Sequence, residues 1–135
     1  GIRDYKVTGV QTCALPILAV EGDSGFGFSG MEVETMCRYR LPVKIVILNN
    51  GGIGGGMEEL PEDKPIPAPI LTPRARYDLM MEAFGGKGLL VEDPADLRSA
   101  LDEALAYDGP AIVNVILDPR AGRKPQQFEW LTKDD

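Results

Sequence analysis

The stretch "VKIVIL", Val43 to Leu48, constrains the fold more than any other part of the chain. It is nearly all apolar and mostly β-branched, with Pro42 before it and Asn49-Asn50-Gly51-Gly52 after it. A strand apolar on both faces must be buried on both faces, which is the habit of central strands in parallel sheets. Parallel neighbours cannot be joined by a tight turn, so each must be reached by a crossover, usually a helix.

The remaining sequence supplies those crossovers. "ILAVEGD" reads as a short buried strand, Leu18 to Glu21, ended by Gly22. "SGME" has the form of a capping box, Ser29 at N-cap and Glu32 at N3. It predicts a helix from Ser29 carrying an apolar stripe of Val33, Met36 and Cys37 and closed by Pro42. Met57 to Pro73 is acidic and proline-rich, which excludes regular structure there. "RARYDLMMEAFGG" predicts a helix over Arg74 to Phe84 with Gly85 and Gly86 as its C-cap. "GLLVED" is a third strand. A helix capped by Asp93, with Pro94 at N1, ends before Gly109, and "AIVNVILD" is a fourth strand. The class is α/β, a mostly parallel sheet with flanking helices.

Composition closes off several functions. The formal charge is −7, which disfavours nucleic acid and anionic membrane as partners. There is no histidine, so no imidazole of this chain can act as metal ligand or general base. No apolar run is long enough to span a bilayer.

The first residues stand apart. "VTGVQTCALPI", Val7 to Ile17, resembles the in-frame translation of a sequencing-library adapter, and Gly1 to Asp4 fits the adapter's upstream segment. Residues 1–17 are therefore expected to be an assembly artefact without specific packing. Residues 18–135 are expected to be one cofactor-binding domain with a C-terminal tail, from a protein whose N-terminal part is missing. Setting Cys13 aside leaves Cys37 alone, with no intrachain disulfide, which fits a reducing, cytoplasmic setting.

Ligands of open α/β sheets bind beyond the carboxyl ends of the strands. Gly22-Asp23-Ser24 and Asn49-Asn50-Gly51-Gly52 occupy two such ends. Asp23 offers a carboxylate oxygen, Asn50 an amide oxygen, and the glycine run a backbone carbonyl. Oxygen donors with places left for water and phosphate describe a Mg²⁺ site. The helix from Ser29 is expected to aim its free N–H groups at the same place. Each piece has a plainer reading: Asn-Gly as a hairpin turn, Asp after Gly as a turn residue. "GFGFSG", Gly25 to Gly30, also matches the G-x-G-x-x-G of dinucleotide sites. A ribose-binding acid should then stand near the end of the next strand, where this chain has Asn49 and Asn50.

Gly22-Asp23 followed at a distance by Asn49-Asn50 resembles the thiamine-diphosphate motif G-D-G…N-N, with Ser24 in the third place. With "FGFSGMEVET", "CRYRLPV", "RYDLMMEAFGGKG" and "DPRAGRKPQQFEWLT", the chain is similar over Leu18 to Thr132 to one particular domain. That is the C-terminal cofactor-binding domain shared by oxalyl-CoA decarboxylases and 2-hydroxyacyl-CoA lyases. The resemblance implies thiamine diphosphate and Mg²⁺ as cofactors. It implies Asp23, Asn50 and the Gly52 carbonyl as metal ligands, with Gly22, Ser24, Gly25 and Ile53 against the diphosphate. It implies an acyl-CoA substrate cleaved to formyl-CoA and an aldehyde, or to formyl-CoA and CO₂, in a homo-oligomer (dimer or tetramer). The glutamate that activates the cofactor's pyrimidine belongs, by the same resemblance, to another domain, so no catalytic residue is assigned in this chain. The tail "RKPQQFEWLT" resembles the lyase branch. The family pattern carries an aromatic and a basic residue after the isoleucine, where this chain has Gly54 and Gly55, and an asparagine at Arg40. That departure keeps open a non-catalytic, cofactor-binding relative; an NAD-dependent oxidoreductase is the remoter alternative.

Overall fold

The computed structural model describes residues 17 to 121. Expectations for residues 1–16 and for the tail from 122 onward fall outside the described residues. The elements run β1 (Ile17–Gly22), α1 (Asp23–Gly27), α2 (Glu32–Arg38), β2 (Val43–Asn49), α3 (Tyr77–Ala83), β3 (Lys87–Val91), α4 (Leu97–Ala106) and β4 (Ala111–Ile116). The four strands form one sheet in the order β1-β2-β4-β3, every neighbouring pair parallel. "VKIVIL" is thus a central strand, as its composition requires.

The period-2 alternation of the strands divides the core in two. Ile45 and Ile47 of β2 and Ile112 of β4 face one side, where they meet Phe26 of α1, Val33 of α2 and Met81 of α3. Val46 of β2 and Val113 and Val115 of β4 face the other, against Ala100 and Ala104 of α4. Lys44 is buried on that second face. Its Nζ is satisfied by the carbonyls of Tyr107, at 2.7 Å, and Gly109, just beyond the end of α4. Burial pushes the Lys44 ammonium below the usual lysine range. α4 packs over β3 and β4, which leaves Leu18, Val20 and Leu48 exposed at the β1 end of the face.

Local signals placed most boundaries. Asp93 accepts the N–H of Ala95 at 2.9 Å and Pro94 opens a 3₁₀ turn that leads into α4. Gly85, at φ 87°, closes α3. The N–H groups of Gly85 and Gly86 bond the carbonyls of Glu82 and Met81, as a Schellman end requires.

Several expectations are corrected: β1, read as a buried strand, is an edge strand with Leu18 and Val20 exposed. The helix read as starting at Ser29 starts at Glu32, and Ser29 is no side-chain cap: its backbone carbonyl accepts the Glu32 N–H instead. A separate short helix, α1, lies upstream because Phe26 is buried, which coils residues 23 to 27 onto the sheet. α3 starts at Tyr77 rather than Arg74. Arg74 is in the left-handed region at φ 52°, and Arg76 turns its side chain onto Asp78. The stretch from Met57 to Pro73 holds no helix or strand, but Ile70 forms an isolated bridge with Gly52.

Candidate cofactor site

β1 and β2 are parallel neighbours, with Gly22 in register with Leu48. Their carboxyl ends therefore open side by side, and the residues that follow each strand meet. Asp23 is 1% exposed, yet its carboxylate is well supplied with donors. Oδ2 accepts the N–H of Gly51 at 2.8 Å and that of Gly52 at 3.2 Å, and Oδ1 accepts the N–H of Ser24 at 2.9 Å. The amide oxygen of Asn50 accepts from Gly52 at 3.3 Å. The structure thus brings Asp23, Asn50 and Gly52 together.

The donor set fits a hard divalent cation. A carboxylate has roughly four lone-pair positions; three N–H groups reach Asp23, so one position remains, on Oδ1. The Gly51 carbonyl is taken by Leu71, whereas among the described residues no hydrogen bond reaches the Gly52 carbonyl. That leaves carboxylate, amide and carbonyl oxygens, the ligand types that Mg²⁺ prefers. Among the described residues no cluster of three acidic, cysteine or histidine side chains competes for a metal. Burial, and then the nearby Asp23, raise the Tyr77 phenol above its usual range.

Beside Asp23 the backbone is open at Gly22 and bordered by the Glu21 side chain at Gly25. A Cβ added at Gly22 would touch nothing within 4 Å, and one at Gly25 would meet Glu21 alone, at 3.7 Å. Ser24 and Gly25 lie in the first turn of α1, where backbone amides lack intrahelical acceptors; the Ser24 N–H is occupied by Asp23 Oδ1. These amides, and not those of the helix after Ser29, are the ones beside Asp23. Ile53 is exposed at the loop tip, and Gly54, at φ 82°, faces open space. The loop folds back on itself: a Cβ at Gly56 would overlap the Asn50 carbonyl, and one at Gly52 the Gly55 carbonyl.

A cleft of about 520 Å³ touches Asn50 but not Asp23, and lies toward Arg74, Glu92 and Arg120. The converging oxygens, rather than that hollow, define the candidate site. Sequence reasoning missed Asp78 and Asn114 and gave Asn49, named in the motif, no role of its own; all three are buried. The signal for Asn114 was present, a lone amide in the apolar run "AIVNVI".

A parallel α/β domain with a built cluster of polar groups at adjacent strand ends belongs to the open-sheet class, which binds its ligands there. The comparison with known families makes this specific. Residues 7–115 match the model for the C-terminal TPP binding domain of thiamine pyrophosphate enzymes, and the chain belongs to that family. A 2-hydroxyacyl-CoA lyase of Oryza sativa subsp. japonica is 54% identical over 119 residues, covering 84% of this chain and 21% of the relative. Oxalyl-CoA decarboxylase of Escherichia coli K12 is 48% identical over 120 residues, covering 87% of this chain and 21% of the relative. The chain therefore spans about a fifth of the length of the relatives it matches. Among solved structures, a thiamine diphosphate-dependent 4-hydroxybenzoylformate decarboxylase of Rhodococcus jostii RHA1 aligns with a TM-score of 0.61. It is 24% identical, over 75% of this chain and 19% of its own, and supports the fold.

Proposed function

We propose that this chain is the diphosphate-and-metal half of the active site of a thiamine-diphosphate- and Mg²⁺-dependent carbon–carbon lyase acting on acyl-CoA thioesters. The substrate would be a 2-hydroxyacyl-CoA, cleaved to an aldehyde and formyl-CoA. The observation that carries this reading is the meeting of Asp23 and Asn50 around the Gly51 and Gly52 amides. Similarity to the rice lyase supports the choice of substrate class.

Asp23, Asn50 and the Gly52 carbonyl would hold Mg²⁺, whose positive charge would offset that of the Asp23 carboxylate beside a diphosphate. That resolves the presence of a buried carboxylate at an anion site, since the two negative groups would otherwise repel. Gly22, Ser24, Gly25 and Ile53 would lie along the diphosphate. When bound, the cofactor supplies the carbanion and electron sink that carbon–carbon cleavage needs. The residues here fix its charged end, and the aminopyrimidine end is left to another domain or subunit of the parent enzyme.

The test is a chimera: residues 18–135 in place of the matching C-terminal segment of the rice lyase. Formyl-CoA release from a 2-hydroxyacyl-CoA is the expected result. Release from oxalyl-CoA alone would move the assignment to the decarboxylase, which the 48% identity to the Escherichia coli enzyme makes the second reading. A folded chimera that bound thiamine diphosphate but used neither substrate would identify this domain as a non-catalytic relative.

A further inference from the structure

β4 is buried along most of its length, and Asn114 stands in its middle, fully buried between Val113 and Val115. An amide there costs free energy unless its groups are bonded. Asn114 Nδ2 donates to the Ala75 carbonyl at 2.9 Å and to Asp78 Oδ1 at 3.1 Å. Its Oδ1 accepts from Asn49 Nδ2 at 3.2 Å, and the same Nδ2 also reaches the Ala75 carbonyl, at 2.8 Å. Asp78, 2% exposed, is gripped in turn by Arg76, whose Nε lies 3.0 and 3.1 Å from its two oxygens. Asn49 Oδ1 is the one buried side-chain oxygen or nitrogen without a partner among the described residues.

The network is therefore built at some cost, with one acceptor left unsatisfied. Replacing such groups by apolar ones of similar shape is often neutral or stabilising, so stability alone does not account for them. Their location does. Asn114 and the lead-in to α3 converge on Asn49, the residue directly before Asn50. The main chain of Asn49 is held as well, its carbonyl accepting from Leu117 at 2.8 Å. On the other side of Asn50, Gly51 is tied to Asp23.

We propose that Asn49, Asn114 and Asp78 form a positioning network, which fixes the end of β2 so that the Asn50 amide and the Gly51 and Gly52 N–H groups stand opposite Asp23 before any cofactor arrives. The proposal rests on the reading of Asp23 and Asn50 as metal ligands, but its geometric part can be tested without a ligand. Backbone amide hydrogen exchange of the 135-residue chain is followed residue by residue for wild type and Asn114→Val. The Gly51 and Gly52 amides are expected to exchange about tenfold faster in the variant, roughly the loss of one hydrogen bond's local stabilisation. The Ile45, Val46 and Ile47 amides of the same strand should be unchanged. A uniform rise along β2, or no change at Gly51 and Gly52, would overturn the proposal. If Asn114→Val does not fold, Asn49→Val, which removes only the link nearest the loop, carries the same expectation. Mn²⁺ binding with thiamine diphosphate is measured in parallel for wild type and Asp23→Asn. Equal binding by those two would sink the metal reading while leaving the exchange result to decide the network.

Discussion

The carboxylate of Asp23 accepts the backbone N–H of Gly51 at 2.8 Å, so the residue proposed to hold the metal also holds the loop that carries the other proposed ligands. The two strand ends are one unit: what disturbs Asp23 disturbs Asn50 and Gly52, and the proposed cation would reinforce a contact already made. Preorganisation of this kind lowers the ordering cost of binding.

Asp23→Asn should therefore act twice. An asparagine in its place loses the charge and cannot accept with both of its terminal groups, so at least one of the Gly51 and Gly52 amides is left unpaired. A buried, unpaired donor costs about 1–3 kcal/mol, and charge-assisted contacts are worth roughly twice neutral ones. Thermal melts should show the loss without ligand, and equilibrium dialysis of thiamine diphosphate at limiting Mg²⁺, in the full-length enzyme, should show weaker retention. Asn50→Ala, at a partly exposed position, should weaken retention with a smaller effect on the melt.

The glycines of the loop should not be interchangeable. Gly56→Ala would drive a Cβ into the Asn50 carbonyl, so it should both destabilise the chain and displace a ligand. Gly54→Ala meets open space but sits at φ 82°, and its cost should stay near about 1 kcal/mol from backbone strain alone. Urea denaturation of both variants checks the order.

Acid stability should depend on Asp78. Burial pushes its carboxyl upward, but the hydrogen bonds from Arg76 and Asn114 and the Arg76 charge outweigh that, and the net shift is downward. A carboxylate whose folded pKa lies below its unfolded value stabilises the fold above the unfolded value, about 3.9. That contribution fades as pH falls from there through the folded pKa. Asp78→Asn should be less stable than wild type near neutrality, with the gap closing in that acid window. Stability against urea measured from about pH 6 to about pH 2 gives the comparison; a gap constant across that range would contradict it.

The exposed side chains of Leu18, Val20 and Leu48, with Val20 61% exposed on an edge strand, should promote self-association. Val20→Lys should reduce it, as judged by sedimentation velocity, and leave Tm little changed.

The chain alone should release no formyl-CoA from a 2-hydroxyacyl-CoA or from oxalyl-CoA. The described residues hold the oxygen ligands proposed for a metal, and the proposed division of the site leaves the pyrimidine ring to another domain. Turnover by the isolated chain would refute that division.

The sequence by itself determined the class and most of the elements. Their signals are local: a doubly apolar strand at Val43, a proline and aspartate at Asp93-Pro94, a glycine pair at Gly85-Gly86. It also put Asp23 and Asn50 at the carboxyl ends of two strands, and its resemblance to a known motif joined Gly52 to them; that the two strands are neighbours, so that the ends meet, was left to the structure. It misplaced the helix at Ser29, since a capping box is a local preference and the burial of Phe26 is a tertiary one that coils the preceding turn instead. What only the tertiary structure decided is how the site is held. The Gly51 and Gly52 amides turn onto Asp23 across 28 and 29 residues of chain, and Asn49 meets Asn114 across 65. Hydrogen bonds at that separation leave no period or cap in the sequence. They exist because crossovers set β1, β2 and β4 side by side, and because a buried amide must find its partner wherever the packing brings one.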